Sequence, residues 1–416
     1  MTACDKAITD CVRKNIKVRS DMKRFFAAFL ALLTSLTLIA CGSGPAKATD
    51  PTTFPTAATD PTTETEDPYR YRTHLQTLLD QRNLPALKSR GEMLDILQRE
   101  VYGYIPAKPE NLKFTVHKNV VSNYCGGKAE IRRIIVECTV NGRPFSFPFR
   151  MAIPKNAEKV PFFVHIAFSL DENARYQPTE ELVKSGFAVL FFDYEDVTTD
   201  DGDFTNGLAG VLYPDGKRED TDAGKIAMWA WAAHRVLDYA ETISDQLDMS
   251  RSIVCGHSRL GKTALLAGAT DERFAFTYSN NSGSTGAALA RRKKGETVER
   301  ICSVFPFWFC TNYQQYRNRE PWMPFDQHYL LACIAPRKLL VGSAFNDTTA
   351  DPISEQLACY AASPAFRNGF KCEYWALTGE EYFEGDIGYH LRAGDHSFSK
   401  EDWRKLMKFV NYHTAD

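Results

Sequence analysis

Residues 252–268 run Ser-Ile-Val-Cys-Gly-His-Ser-Arg-Leu-Gly-Lys-Thr-Ala-Leu-Leu-Ala-Gly, and they are the most informative segment for predicting the fold. Its first four residues form a short, largely apolar run that predicts a β-strand, and residues 263–269 predict a helix. Gly256 and Ser258 fall in the turn between the two. A strand that passes through Gly-x-Ser directly into a helix is the arrangement that exposes a reactive serine hydroxyl at the carboxyl edge of a sheet.

The turn also supplies the surroundings that a nucleophilic serine needs. It is sharp, so the residue two before the serine has to be small, and Gly256 meets this condition. The backbone N–H of Arg259 would lie at the positive end of the following helix, where it can bind an oxyanion. The pattern is Gly-x-Ser-x-x-Gly, however, with Leu260 where many hydrolases have a small residue. A purely structural turn is therefore an alternative, although the flanking strand and helix favour an enzyme.

Strands and helices alternate on both sides of this turn. Continuous apolar runs at residues 160–168, 187–192, 274–278 and 338–345 are separated by segments of helical periodicity. Strands of this kind are buried on both faces, which is typical of a mostly parallel sheet between two helical layers. We therefore predict an α/β protein with the α/β-hydrolase fold, a three-layer sandwich around a mostly parallel central sheet.

An antiparallel section precedes the parallel strands. Residues 112–153 contain strand patterns, and Asn141-Gly142 predicts a two-residue hairpin turn between two of them. Residues 72–100 have helical periodicity and predict a helix that ends near Gly103. No second linker interrupts the pattern, so residues 69–416 are expected to form one catalytic domain.

A serine nucleophile in this fold takes its partners in the chain order Ser, then Asp or Glu, then His. Of nine histidines, His396 follows a short predicted strand and precedes the closing helix, where the fold places its base. The acid should follow the strand at residues 338–345, and Asp347 does so. Asp351 is the alternative acid, although it also fits the N-cap of the next helix. His257 is set aside, because its side chain is expected to point away from the serine.

The N-terminal residues have the pattern of an export signal. Lys23-Arg24 is followed by an apolar stretch at residues 25–39 and by Leu38-Ile39-Ala40-Cys41, which resembles a bacterial lipobox. We expect residues 1–41 to comprise an N-terminal extension and a lipoprotein signal peptide that starts at Met22. A plain signal peptide is the alternative. Both predict export, and the first predicts a lipoprotein on the cell surface.

Residues 42–68 separate this leader from the domain. They are rich in Thr and Pro, and they contain Thr-Asp-Pro-Thr-Thr twice. Such a composition cannot bury a core, and its proline content keeps the chain extended. We therefore predict a disordered linker that holds the domain away from a membrane.

The composition is that of a globular protein, with 44% hydrophobic and 25% charged residues and a net charge of −2. Without the basic leader the remaining chain is acidic, which gives no basic surface for nucleic acid. The eleven cysteines include no Cys-x-x-Cys pair and no Cys/His ligand spacing, so no metal site is expected. Cys255 and Cys333 lie in apolar runs and predict buried thiols, whereas Cys302 and Cys310 could form a disulfide.

Several blocks of this sequence resemble one known family. Gly256-His257-Ser258-Arg259-Leu260-Gly261-Lys262 is similar to the Gly-Cys-Ser-Arg-x-Gly-Lys motif of the glucuronoyl esterases, especially their bacterial members. The resemblance extends over about residues 90–412. It includes four more blocks, Asn280-Asn281-Ser282-Gly283, Phe305-Pro306-Phe307-Trp308-Phe309, Met323-Pro324-Phe325-Asp326-Gln327-His328 and Ile334-Ala335-Pro336-Arg337.

This resemblance implies an exported hydrolase that cleaves esters between glucuronate groups of xylan and lignin alcohols. Ser258 would be the nucleophile and His396 the base, and the side chain of Arg259 would help its backbone to stabilise the oxyanion. Lys262 would contact the sugar hydroxyls, unless it is only a solvated first-turn residue. No cofactor is implied. The expected partner is glucuronoxylan or a lignin–carbohydrate ester, and we expect a monomer that meets a membrane only through a lipid anchor at Cys41.

The chain departs from the family pattern at two positions. Many members carry the catalytic Glu 23 residues after the serine, where this chain has Asn281. Some bacterial members carry the acid after the later strand instead, which again points to Asp347. The family often has a Trp in that later loop, and this chain lacks it, so Trp308 or Trp322 would have to provide the contact with the sugar.

These departures leave two further functions open. The first is another carbohydrate esterase, acting on acetyl- or feruloyl-xylan with the same serine chemistry. The second is a glycan-binding lipoprotein that has lost catalysis, which Asn281 suggests because an amide cannot carry a negative charge. Hydrolysis of glucuronate esters would separate these functions from the one that the family implies.

Overall fold

A mixed β-sheet forms the centre of residues 72–415, which are the residues that the computed structural model describes. Within this range the sheet has ten strands. They are β1 (Glu110–His117), β2 (Ala129–Val140), β3 (Arg143–Pro154), β4 (Val160–Ala167), β5 (Ala188–Asp193), β6 (Leu247–His257), β7 (Phe276–Asn280), β8 (Lys338–Ala344), β9 (Glu381–Tyr382) and β10 (Ile387–Arg392).

The strands lie in the order β1-β2-β3-β5-β4-β6-β7-β8-β10-β9. Six neighbouring strands in the middle pair in parallel, namely β5, β4, β6, β7, β8 and β10. The strands β1, β2 and β3 join the sheet by antiparallel pairing. The short strand β9 pairs antiparallel with β10 at the other edge. All carboxyl ends of the six parallel strands therefore lie along one edge of the sheet.

The helices lie mostly between these strands. They are α1 (Leu75–Asp80), α2 (Arg90–Leu97), α3 (Thr179–Lys184), α4 (Gly207–Leu212), α5 (Lys225–Glu241), α6 (Arg259–Thr270), α7 (Val298–Val304), α8 (His328–Ala332), α9 (Pro352–Ala362) and α10 (Lys400–Thr414). None of the helices within residues 72–415 has the length and apolar character needed to cross a bilayer.

Apolar side chains cover both faces of the sheet, because successive residues of a strand point to opposite sides. In β4, Phe162 and Val164 belong to the core that contains Trp229 of α5. The intervening Phe163 belongs to the opposite core, where its ring meets the edge of Trp403 in α10 at 5.3 Å. The predicted three-layer sandwich, with a mostly parallel sheet and antiparallel N-terminal strands, is confirmed.

The helical prediction for residues 72–100 is confirmed only in part. The structure has α1 and α2 there, followed by a π-helical turn at Gln98–Tyr102, and residues 81–89 between the two helices are not helical. Asn83 adopts a left-handed conformation with φ of 49°, which ends a right-handed helix. Pro85 follows two residues later and cannot donate a backbone hydrogen bond. The hairpin turn at Asn141-Gly142 is confirmed between β2 and β3.

The cysteines of the described residues are all free thiols. Cys255 and Cys333 are buried, which confirms the prediction. Cys302 and Cys310, for which a disulfide was an open alternative, are also free and buried. The predicted signal peptide, the anchor at Cys41 and the linker at residues 42–68 lie outside residues 72–415.

Candidate active site

Ser258 occupies a strained turn between β6 and α6. Its φ of 58° and ψ of −125° lie outside the regions that a serine normally adopts. The turn is tight enough that a Cβ on Gly256 would lie 2.2 Å from the carbonyl oxygen of Leu260, so that only glycine fits there. The Ser258 N–H donates to the Asn280 carbonyl of β7 at 2.9 Å, which ties the turn to the neighbouring strand. The predicted strand, turn and helix are confirmed.

His396 and Asp347 meet at the same edge of the sheet. The loop after β10 carries His396 and the loop after β8 carries Asp347, and His396 Nδ1 lies 2.5 Å from Asp347 Oδ2. Asn281 Nδ2 donates to the same carboxylate oxygen at 2.9 Å. Burial alone would raise the pKa of Asp347, but the hydrogen bonds from His396 and Asn281 and the charge of His396 outweigh burial and lower that pKa.

The alternative acid, Asp351, has a different environment. It is the N-cap of α9, where its side chain accepts from the backbone N–H of Ser354, and its other oxygen accepts from the N–H of Lys294 at 2.8 Å. These contacts match the helix-cap interpretation of Asp351. Of the two aspartates, Asp347 is therefore the one that contacts the imidazole of His396.

A cavity of about 330 Å³ lies above these groups. Ser258, Arg259, Asp347 and His396 contribute to its wall. No hydrogen bond joins Ser258 to His396 within the described part of the chain. Such contacts are often long in proteins without substrate and shorten when the reacting complex forms. The His396 side chain is 44% exposed, so its ring can reach the cavity from the loop after β10.

Arg259 is held at the cavity by an acid that the sequence interpretation missed. Its guanidinium forms an ion pair with Asp200, and it lies 4.9 Å from the ring centre of Trp308. The indole N–H of Trp308 donates to the other oxygen of Asp200 at 2.6 Å, and the hydroxyl of Tyr194 also donates to this carboxylate. Phe305 stacks on the Trp308 ring at 3.9 Å. The predicted binding residue Trp308 thus lines the cavity as part of a buried assembly.

Lys262 is buried in the wall of the cavity, with 3% of its surface exposed. Its ammonium donates to the carbonyl oxygens of Ser282 and Ser284 at 2.5 and 2.6 Å, and it lies 3.7 Å from the carboxylate of Glu296. The alternative that Lys262 is a solvated residue is therefore wrong. Trp322, by contrast, is 75% exposed.

The loop that carries Asp347 packs tightly against a distant segment. Gly295 has a φ of 72°, and a Cβ there would lie 2.3 Å from the Thr348 carbonyl oxygen and 2.7 Å from the Thr349 Cα. The N–H of Glu296 donates to the Thr349 carbonyl at 3.1 Å, and Lys293 Nζ donates to the same oxygen at 2.8 Å. The position of Asp347 thus depends on a backbone contact that only glycine allows.

Glu355 is a fully buried acid beneath the turn that carries Asn281. Its carboxylate accepts from the N–H of Gly283 at 2.8 Å and from the hydroxyl of Ser343 at 2.6 Å. Burial raises the pKa of Glu355 to about 7, and these two hydrogen bonds oppose part of that rise. The acid therefore changes its charge near neutral pH while it supports the backbone next to Asn281.

The free energy of unfolding should consequently fall as the pH rises from about 4.5 to about 7. Because the folded protein holds the Glu355 proton more tightly than the unfolded chain, its contribution is complete at low pH and lost above the folded pKa. In the Glu355→Gln protein this component is absent. We expect urea unfolding to show that the free energy of unfolding of the variant, measured relative to that of the wild type, rises by on the order of 2 kcal/mol from pH 5 to pH 8. Glu272→Gln, at an exposed position, is the control, and an equal gain in both variants would contradict the assignment.

Asp200, Asn281 and His257 lie next to the predicted site residues, and these contacts were not anticipated from the sequence. Asp200 follows β5, whose carboxyl end lies at the same edge as Ser258, and this placement could have indicated it. Asn281 was noted only as a departure, yet it binds Asp347. His257 was set aside because it was expected to point away from the serine, yet its ring centre lies 4.5 Å from that of His396. Among residues 72–415, no group of three or more His, Cys, Asp and Glu side chains is arranged to bind a metal ion.

The parallel sheet, the strained serine at the end of β6 and the imidazole–carboxylate pair at the same edge define an α/β-hydrolase. Residues 136–368 match the family model described as "Glucuronyl esterase, fungi". The chain belongs to the glucuronoyl esterase family, as its sequence blocks predicted.

Solved structures agree with this assignment. The chain is 32% identical to the glucuronoyl esterase from Solibacter usitatus, with a TM-score of 0.73 and coverage of 79% of this chain and 93% of that one. It is 30% identical to a promiscuous CE15 esterase from a marine bacterial metagenome, with a TM-score of 0.70 and coverage of 79% and 91%.

Two curated relatives match over a shorter range. Carbohydrate esterase MZ0003, from an unknown prokaryotic organism, is 40% identical over 243 residues, which is 56% of this chain and 55% of the relative. The 4-O-methyl-glucuronoyl methylesterase 1 of Phanerochaete chrysosporium is 28% identical over 286 residues, or 66% of this chain and 56% of the relative. The chain thus spans about half the length of the curated relatives it matches.

Proposed function

We propose that this protein is a serine esterase that hydrolyses glucuronoyl esters of plant cell-wall carbohydrate. The observation that carries this proposal is the 2.5 Å contact between His396 Nδ1 and Asp347 Oδ2, at the cavity into which the strained turn presents Ser258. A buried carboxylate in this position fixes the imidazole with its proton on Nδ1 and leaves Nε2 free to act as a base.

The reaction then has two halves. The Ser258 hydroxyl attacks the ester carbonyl while His396 Nε2 takes its proton, and the resulting imidazolium is stabilised by Asp347. His396 returns the proton to the leaving alcohol, and an acyl-enzyme forms between Ser258 and the uronic acid. Water attacks this ester with His396 again as the base, which releases the acid and restores the serine.

Arg259 supplies the groups that would stabilise the negative oxygen of each tetrahedral intermediate. As the first residue of α6, it has a backbone N–H without an acceptor within the helix, at the positive end of the helix dipole. Its guanidinium also lines the cavity, where Asp200 and Trp308 restrict its movement. Donors fixed before the reaction stabilise developing charge without having to reorganise.

The substrate proposal rests on the family and on the character of the cavity. Its wall combines the cations Arg259 and Lys262 with the acid Glu296 and the aromatic ring of Trp308. The donors on these cations suit the ester carbonyl and the sugar hydroxyls as well as the carboxylate that is released, and an aromatic ring suits the apolar face of the sugar. The names of the solved and curated relatives quoted above point to the same class of ester. Lys262 and Trp308 are the side chains we assign to substrate binding, and no cofactor takes part in the proposed reaction.

A comparison of esters tests this specificity. We expect release of benzyl alcohol from benzyl glucuronate with a kcat/KM at least about tenfold above that for release of acetate from acetylated xylan, since only the first substrate offers a uronic acyl group to the cavity. Continuous assays at equal enzyme concentration measure both rates. Acetate release at the higher rate would contradict the glucuronoyl assignment and support the acetyl-xylan alternative.

We further propose that the enzyme is an exported monomer anchored to the outside of the cell through a lipid on Cys41. The lipobox-like Leu38-Ile39-Ala40-Cys41 and the Thr/Pro-rich residues 42–68 support this arrangement from the sequence. The domain boundaries at residues 41, 68 and 69 are part of the same proposal. A surface location would place the catalytic domain where insoluble wall polymers can reach it.

A further inference from the structure

We propose that His257 is a positioning residue that holds the imidazole of His396 in its reactive orientation. This inference rests on the proposed function, because it assigns His257 a part in the same reaction. His257 is the last residue of β6 and directly precedes Ser258, and it is 2% exposed. The observation behind the proposal is the packing of its ring against the ring of His396, with the ring centres 4.5 Å apart and the planes inclined by 45°.

His396 needs such a contact. The hydrogen bond to Asp347 holds one nitrogen of its ring, but small changes of the side-chain torsions χ1 and χ2 can still tilt the ring about that nitrogen. The side chain is 44% exposed, so the cavity side offers little packing that would stop this rotation. A rotation would carry Nε2 away from the Ser258 hydroxyl, whose proton it has to take. The ring of His257 restricts that movement from the buried side.

The His257 ring is itself fixed from below. Its Nδ1 lies 2.7 Å from Oδ1 of Asn280, an atom that can only accept, so the Nδ1–H is the donor. Asn280 Nδ2 donates onward to the hydroxyl of Tyr278 at 3.2 Å, and this hydroxyl lies 3.0 Å from Nε2 of His390. All four side chains are at most 2% exposed. A row of buried hydrogen bonds thus runs from beneath the sheet edge to the ring that supports His396.

Aromatic rings enclose the remaining sides of His257. Tyr176 lies 5.1 Å from it, Phe398 6.2 Å and Phe168 6.3 Å, measured between ring centres. With its ring enclosed and its Nδ1–H bonded, His257 has little room to adopt another rotamer. A ring in this setting acts as a fixed surface and not as a mobile neighbour.

The same setting keeps His257 uncharged. Burial, the largest cause, and the charge of His396 lower its pKa to about 3, against the opposing effects of the bond to Asn280 and the charge of Asp347. Arg392 is the other charged group that contributes, and it also lowers the pKa. A neutral ring is what the reaction requires at this place, because a second cation would oppose the imidazolium that forms on His396.

The experiment compares three variants in the full chain with benzyl glucuronate as substrate. His257→Ala removes the ring and should lower kcat by about 10- to 100-fold with KM within about twofold of wild type, since a small misplacement of a base affects the chemical step. His257→Phe keeps a ring of similar size and should recover most of the lost kcat. His234→Ala is the matched control. Like His257, His234 is a buried histidine with a hydrogen-bond partner, the carbonyl of Ala267, but it lies on α5. The kcat of this variant per folded molecule should stay at the wild-type value.

A wild-type kcat in His257→Ala would overturn the proposal, as would a loss confined to KM or an equal loss of kcat in His234→Ala. If His257→Ala does not fold, NMR of the wild-type protein with labelled histidine provides the second test. His257 should stay neutral with its proton on Nδ1 from pH 8 to pH 5, and a charged ring at pH 6 would overturn the proposal. Neither result bears on whether Ser258 is the nucleophile, so failure of this inference can be told apart from failure of the proposed function.

Discussion

Replacement of Ser258 by Ala is expected to lower kcat for benzyl glucuronate by about 10⁶-fold, because removing a serine nucleophile from a serine hydrolase removes the covalent route altogether. The fold of the variant should be retained. Alanine has a smaller side chain, and the contact that ties this turn to β7 is made by the backbone N–H of residue 258 and not by the hydroxyl. A direct assay of alcohol release, with the far-UV spectrum as a check on folding, measures the effect.

Ser250→Ala is the matched control for this experiment. Ser250 is an exposed serine near the opposite end of the same strand, β6, so its loss should leave kcat unchanged. A fluorophosphonate that reacts with activated serines should label the wild type and Ser250→Ala but not Ser258→Ala. Turnover of Ser258→Ala at the wild-type rate would refute the serine esterase proposal. Binding of xylan by a wild-type protein that neither hydrolyses the ester nor takes up the label would support the inactive glycan-binding alternative.

Replacement of Asp347 by Asn should lower kcat by about 10⁴-fold, since an amide leaves the imidazole in the wrong tautomer and cannot stabilise the imidazolium. Substrate binding should change little, because Asn keeps the size of the Asp347 side chain, of which 4% is exposed, and this side chain acts through its contact with His396. Steady-state kinetics with benzyl glucuronate should therefore show the loss in kcat with KM close to the wild-type value.

Asp351→Asn is the comparison that distinguishes the two aspartates. Asn is about as good an N-cap as Asp, so α9 should keep its cap, and kcat should stay within about threefold of wild type. The two substitutions make the same chemical change four residues apart in one loop. A large loss of kcat in Asp351→Asn together with normal turnover in Asp347→Asn would show that the acid has been assigned to the wrong residue.

The parts of this site that lie directly after parallel strands could be predicted from the sequence. Ser258, Asp347 and His396 follow β6, β8 and β10, and the carboxyl ends of parallel strands share one edge. Their order along the chain and their distance from each predicted strand end were therefore enough to expect them together. The choice between Asp347 and Asp351 could not be made in this way, since both follow the same strand and only the side-chain contacts separate them.

Contacts between distant loops could not be predicted. The ion pair between Asp200 and Arg259 joins the loop after β5 to the first residue of α6, and no local pattern encodes it. The break between α1 and α2 was missed because apolar residues on both sides keep a helical spacing across Asn83 and Pro85. The substrate contact of Lys262 stays a proposal, whereas the bonds from its ammonium to the carbonyls of Ser282 and Ser284 could not be predicted, because they depend on how a distant loop folds against α6.

The close approach of Gly295 to the backbone at Thr348 and Thr349 has a consequence for protein engineering. Two pieces of chain that are separated by about fifty residues behave as one unit, because the second occupies the space that a side chain on the first would need. Grafting the loop of a relative onto this scaffold, for example to install the missing tryptophan, would therefore have to bring along the segment at residues 293–296. Libraries that recombine both together should retain far more folded members than libraries that exchange either piece alone.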